Sequence, residues 1–130
     1  MAINHPGDVP ETRDHLTPGE LELLLRFGML TARGEYQAAQ EVAEQLWLEA
    51  QDAHKRLYQG LSNAMTAACA RELHHLRGAR EIARRTHEIL EPYPRRALGI
   101  DLDALLESMD KFIERGDGPI RLEGQGASSG

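Results

Sequence analysis

Cysteine is nearly missing from this chain. Cys69 stands alone, so no disulfide can form within it, and such usage suits a reducing cytoplasm. Aromatic residues are scarce, at 5% of 130 residues. The core must then be built mostly from Leu and Ala, which lets helices pack closely. No stretch approaches the roughly 18 apolar residues of a membrane span. The opening MAINHPGDVPETRDHL is polar, holds two prolines and lacks the apolar run of a signal peptide. A basic excess is also lacking. The formal charge is −6, which argues against general affinity for nucleic acid, where Lys and Arg must neutralise phosphates. No phosphate loop, dinucleotide fingerprint, nucleophile elbow or zinc ribbon occurs. These absences predict a soluble cytoplasmic protein with no cofactor, no metal site, and neither a nucleic-acid nor a membrane partner.

What is present is helical periodicity. The sequence predicts a flexible arm over 1–16, one all-α domain over 17–116, and a flexible tail over 117–130, where Gly and Ser accumulate. Thr17, Pro18 and Glu20 read as a capping box that opens a helix running to Ala32, ended by Gly34. Its stripe is Leu21, Leu24, Leu25, Gly28 and Met29, widened by Phe27 and Leu30. A second helix over about 35–51 carries Tyr36, Ala39, Ala43, Leu46, Trp47 and Ala50. A third, over about 53–73, carries Leu57, Leu61, Ala64, Met65 and Ala68, and contains Gly60. Gly costs about 1 kcal/mol against Ala inside a helix, so a neighbouring helix or the Trp47 ring is expected to pass close. A fourth helix over 76–90 is stopped by Pro92 and Pro94. A fifth over 102–115, opened by Asp101 or Gly99, turns Leu102, Leu105, Leu106, Met109, Phe112 and Ile113 inward. AQEVA at 39–43 returns as AREIA at 79–83, as two stacked helical hairpins would give. The expected architecture is a compact bundle of about five helices in antiparallel hairpins, with the second to fourth at its centre and Trp47 in or beside the core.

Several segments then fall in a telling order: GEYQAAQEVAEQLW, LYQGL, RGA, LEPYP and GIDLDALL. Over about Leu24 to Leu106 they resemble the small helical bacterial and archaeal proteins catalogued as domain of unknown function 309. That family carries His-x3-Glu-x2-Trp or Tyr on its second helix. A metal role has been proposed for the motif, and no activity is established. Its positions fall here on Gln40, Glu44 and Trp47. Glu44 and Trp47 match, whereas Gln40 replaces the His. Where many relatives carry further His, this chain has Cys69 and Ala70. The resemblance therefore implies the fold, but not the metal.

Read from the residues, Gln40, Glu44 and Trp47 share one helix face. An amide is a poor transition-metal ligand. The expectation is a buried polar network pinning helix 2, with Arg77, Arg56, Tyr58, Gln59 and Asn63 as available partners for Glu44 and Gln40. Cys69 is expected to be a buried, unactivated thiol. His74 and His75 are adjacent, so their side chains diverge by about 100° and chelate poorly. With His54, Glu72 and His87 they are expected at surface or capping positions. Between Arg71 and Arg96 lie seven Arg and four Glu. Arg77, Arg80 and Arg84 could line an anion site, but the interspersed Glu81 and Glu88 favour a self-paired, solvated face. The functional expectation is a non-catalytic binding or protein-interaction module. Its partner is an unknown protein; alternatively the chain associates with itself through an exposed apolar stripe on helix 1 or 5. The rival is a metal-dependent hydrolase using Glu41 and Glu44.

Overall fold

The computed structural model describes residues 16–124. Five helices form an all-α bundle: α1 (Pro18–Ala32), α2 (Tyr36–Glu49), α3 (Asp52–Glu72), α4 (Leu76–Leu90) and α5 (Leu102–Arg115). Each of the first four packs on the next, and α3 touches α2, α4 and α5. The centre is therefore α3, while α1 lies at one edge against α2.

The local chemistry explains the boundaries. Thr17 Oγ1 accepts from Glu20 N at 3.0 Å, and Glu20 reaches back to the Thr17 amide, so the capping box forms as the sequence predicts. Gly34, at φ +76°, closes α1 with its amide on Thr31 O. Asp101 caps α5 by accepting from Ala104 N at 3.0 Å. Gly60 is close-packed as expected, and the neighbour is α4. A Cβ there would overlap Leu90 and press on Ile89. Leu57, Leu61, Ala64, Met65 and Ala68 are all fully buried.

Four differences have physical causes. A two-stranded hairpin, β1 (Arg96–Ala97) and β2 (Ile100–Asp101), precedes α5. Leu98 and Gly99 form its turn with positive φ at both positions. Residues 117–124, expected as part of a flexible tail, pack on the bundle. Ile120 is fully buried and its amide donates to Tyr36 Oη at 3.0 Å, while Arg121 N donates to Ser108 Oγ at 2.8 Å. The remaining arm and tail, 1–15 and 125–130, lie outside the described residues. Trp47 does not join the core. It is 41% exposed, because α2 turns Tyr36, Ala39, Val42, Ala43 and Leu46 inward instead. Finally, α1 is rotated from its expected setting. It buries Glu20, Leu23, Phe27 and Thr31. Leu21, Leu25 and Met29 stay outside at 49%, 66% and 53% exposure.

Candidate functional site: an apolar groove beside α1

The expected α2 face forms, but at the surface. Gln40 Nε2 donates to Glu44 Oε2 at 2.7 Å and lies 3.5 Å from Ser62 Oγ. Glu44 is exposed, and none of the ion pairs among the described residues includes it. The expectation of a buried, arginine-paired carboxylate is corrected: water solvates Glu44, so it needs no cation. Gln59 accepts from Arg56, Asn63 is half-buried, and Arg77 is exposed. Lys55 caps the far end of this face, with Nζ 5.7 Å from the Trp47 ring centroid and 2.8 Å from its carbonyl oxygen.

On α4 the arginines are self-paired. Arg80 makes a two-pronged contact with Glu114 at 2.7 and 2.8 Å. Arg84 bridges Glu81, at 2.6 Å, and Glu88, and Arg85 adds a 3.5 Å contact to Glu81. Hydrogen bonding to Arg84 holds the Glu81 carboxyl below its ordinary value. Arg80 and Arg84 are thus occupied by carboxylates, while Arg77 is exposed and pairs with no carboxylate among the described residues. Cys69 is half-buried. Burial, then the nearby Glu72 charge, push its thiol upward, away from thiolate. Among the described residues no three His, Cys, Asp or Glu side chains gather as metal ligands would.

A buried polar centre, which the sequence pattern does not announce, joins α1 to α3. Glu20 Oε2 accepts from His54 Nδ1 and from Tyr58 Oη, both at 2.7 Å. The three side chains are 2%, 1% and 0% exposed. A carboxylate cannot donate, so both partners must supply the protons. Burial raises the Glu20 carboxyl. Hydrogen bonds from His54 and Tyr58, the His54 charge and the Thr17 amide more than offset that, and the net direction is down. Burial, then the bond to Glu20, push the Tyr58 phenol upward. His54 is therefore neither at the surface nor a cap. It shares the inward register of Leu57 and Leu61, which was the available signal. Being enclosed, this trio offers no access to a substrate. It ties α1 to α3.

The open site lies on the other side of α1. A groove of about 540 Å³ runs between α1 and the segment around 119–123, with Leu98 and Ile100 of the hairpin at its end. Leu21, Leu24, Leu25 and Met29 form one wall, and Leu122 the other. The volume falls within the usual range for ligand sites. Arg121 also lines the groove, and its Nε is buried with no hydrogen-bond partner among the described residues. The groove's far wall is held in place because Ile120 and Arg121 anchor the C-terminal segment to Tyr36 and Ser108, with Leu122 packing over Gly28. Compared with known proteins, the chain matches no family model, no curated protein and no solved structure.

Proposed function

We propose that this chain is a non-catalytic binding module and that it binds through the α1 groove. The observation carrying this reading is an apolar groove walled by three large, exposed side chains, Leu21, Leu25 and Met29. Leaving such a surface in water forgoes a part, set by the half to two-thirds still exposed, of the about 1.5–3 kcal/mol that full burial of each large apolar side chain gives, and contiguous exposed apolar patches mark interaction sites. No observation favours the hydrolase reading. Glu44 is solvated and hydrogen-bonded to an amide, and the enclosed Glu20 trio cannot meet a substrate. Kinship with the domain of unknown function 309 belongs to this proposal and rests on the ordered segments between Leu24 and Leu106. So does placement in a bacterial cytoplasm away from nucleic acid, which rests on the lone cysteine and the charge of −6. No helix among the described residues is long and apolar enough to cross a membrane.

An anilinonaphthalene sulfonate probe tests the groove, using protein diluted until light scattering gives a monomer. Saturable binding at one site is expected, and Met29→Glu should abolish it while leaving the circular dichroism unchanged. A folded monomer that binds no probe overturns the reading.

A further inference from the structure

We infer that the occupant of this face is a second copy of the chain: α1 meets α1 of a partner copy, antiparallel, about a two-fold axis beside Leu25. This rests on the reading of that face as a binding surface. At about 100° per residue, Leu25 lies opposite Leu23 and Phe27, which fill the core. Leu21 and Met29 sit one turn to either side of it, and all three are exposed. An antiparallel two-fold sets Leu25 on its own copy and Leu21 on the partner's Met29. The stripe is therefore complementary to itself, as an isologous contact requires.

The flanks of the stripe select the direction. One flank carries Glu22 and Arg26, both exposed and in no ion pair among the described residues. The other carries Leu24 and Gly28 and borders the groove. In a parallel two-fold pair the charged flank of one helix would lie against the apolar flank of the other. In an antiparallel pair charged meets charged and apolar meets apolar. Glu22 then falls within one helical turn of the partner's Arg26, twice per dimer. Helix α1 spans about 22 Å at its 1.5 Å rise, so its face covers part of the roughly 800 Å² per partner that a stable dimer buries. The groove wall at Leu98 and Leu122 adjoins the apolar flank and extends the contact.

Sedimentation velocity on the full chain, over a concentration series, tests this. The wild type should be a dimer, and Leu25→Glu a monomer with unchanged circular dichroism. Glu22→Arg should weaken the dimer about tenfold, since two exposed charge pairs become repulsive. The double change Glu22→Arg/Arg26→Glu should restore it. A dimer indifferent to Leu25→Glu uses another face and overturns the inference. A dimer lost with Leu25→Glu but indifferent to Glu22→Arg overturns the antiparallel arrangement. A wild-type monomer that binds the apolar probe overturns self-association and leaves the groove reading standing. A monomer that binds none overturns both, and residues 1–15 or 125–130 would then be the segment to test as the groove's occupant.

Discussion

Helices α1 and α4 have the same length, fifteen residues, and each lies on the outside of α2 or α3. They treat their outer faces in opposite ways. On α4, Ala79, Ala83, Thr86, Ile89 and Leu90 go inward, while Arg80, Glu81, Arg84 and Glu88 are ion-paired in water. Its rotation is settled by the sequence alone, because burying that many charges would cost far more than any gain. On α1 two apolar rows compete. Leu23 and Phe27 win, and Leu21, Leu25 and Met29 are left outside. The decision falls to a polar group. The capping box holds Glu20 at the helix start, and its bonds to His54 and Tyr58 fix which row turns inward. A helix with apolar rows on opposite sides is expected to be covered on both, leaving only its charged flank at Glu22 and Arg26 to water. Thus α4 ends the molecule at water, and α1 presents a face for something else.

The comparison breaks if the two rows of α1 prove equivalent. Phe27→Ala removes a fully buried ring and should cost about 4 kcal/mol, from the cavity and the lost burial. Leu25→Ala should change monomer stability by less than about 0.5 kcal/mol, as surface changes do. Urea denaturation of dilute protein measures both, and equal losses would mean that α1 has no fixed inner face.

Glu20→Ala should cost about 3 kcal/mol, because it strands two buried donors and removes half of the capping box. The pH dependence identifies the cause. With its native carboxyl held below the ordinary value, Glu20 contributes stability that is complete above the usual carboxylate range. That contribution is lost as pH falls through the lowered native value. Tyr58 has the opposite sign. Its raised phenol contributes below the ordinary tyrosine value, and that share is lost as pH climbs beyond it. Denaturation midpoints against pH should fall in acid for the wild type and flatten in Glu20→Ala. An unchanged acid slope would remove Glu20 as the source.

Helix boundaries were legible because they depend on neighbours in sequence: Thr17 with Glu20, Gly34 after Ala32, Pro92 and Pro94 after Leu90. The α3 stripe was legible because its opposite side is polar. The setting of α1 was not, since Leu21, Leu25 and Met29 match the helical period as well as Leu23 and Phe27 do. Nor was the groove, which needs residues 119–123 to return to α1 through the Tyr36 hydroxyl and Ser108, contacts far apart in sequence. Gly-rich composition pointed to a tail over that stretch, and the burial of a single Ile120 decided otherwise. The His54 centre was hidden for the same reason: its partner Glu20 lies 34 residues away.

The smallest expected effect concerns Glu44, the residue the sequence singled out most strongly. A buried, ion-paired Glu44 would lose about 3–5 kcal/mol on removal of its charge. In the fold it is exposed and accepts from Gln40 one helical turn earlier. Such pairs contribute about 0.2–0.5 kcal/mol, and Glu44→Gln keeps an acceptor oxygen in place. The variant should therefore unfold in urea within about 0.5 kcal/mol of the wild type and keep the same slope. Tryptophan emission should stay put as well, since Trp47 is already partly in water and is held by Lys55 rather than by Glu44. A loss of several kcal/mol would place a hidden cation against Glu44 and return attention from α1 to α2. A null result leaves Glu44 as a solvated carboxylate, like the ion-paired carboxylates of α4, and leaves the apolar groove beside α1 as the candidate site.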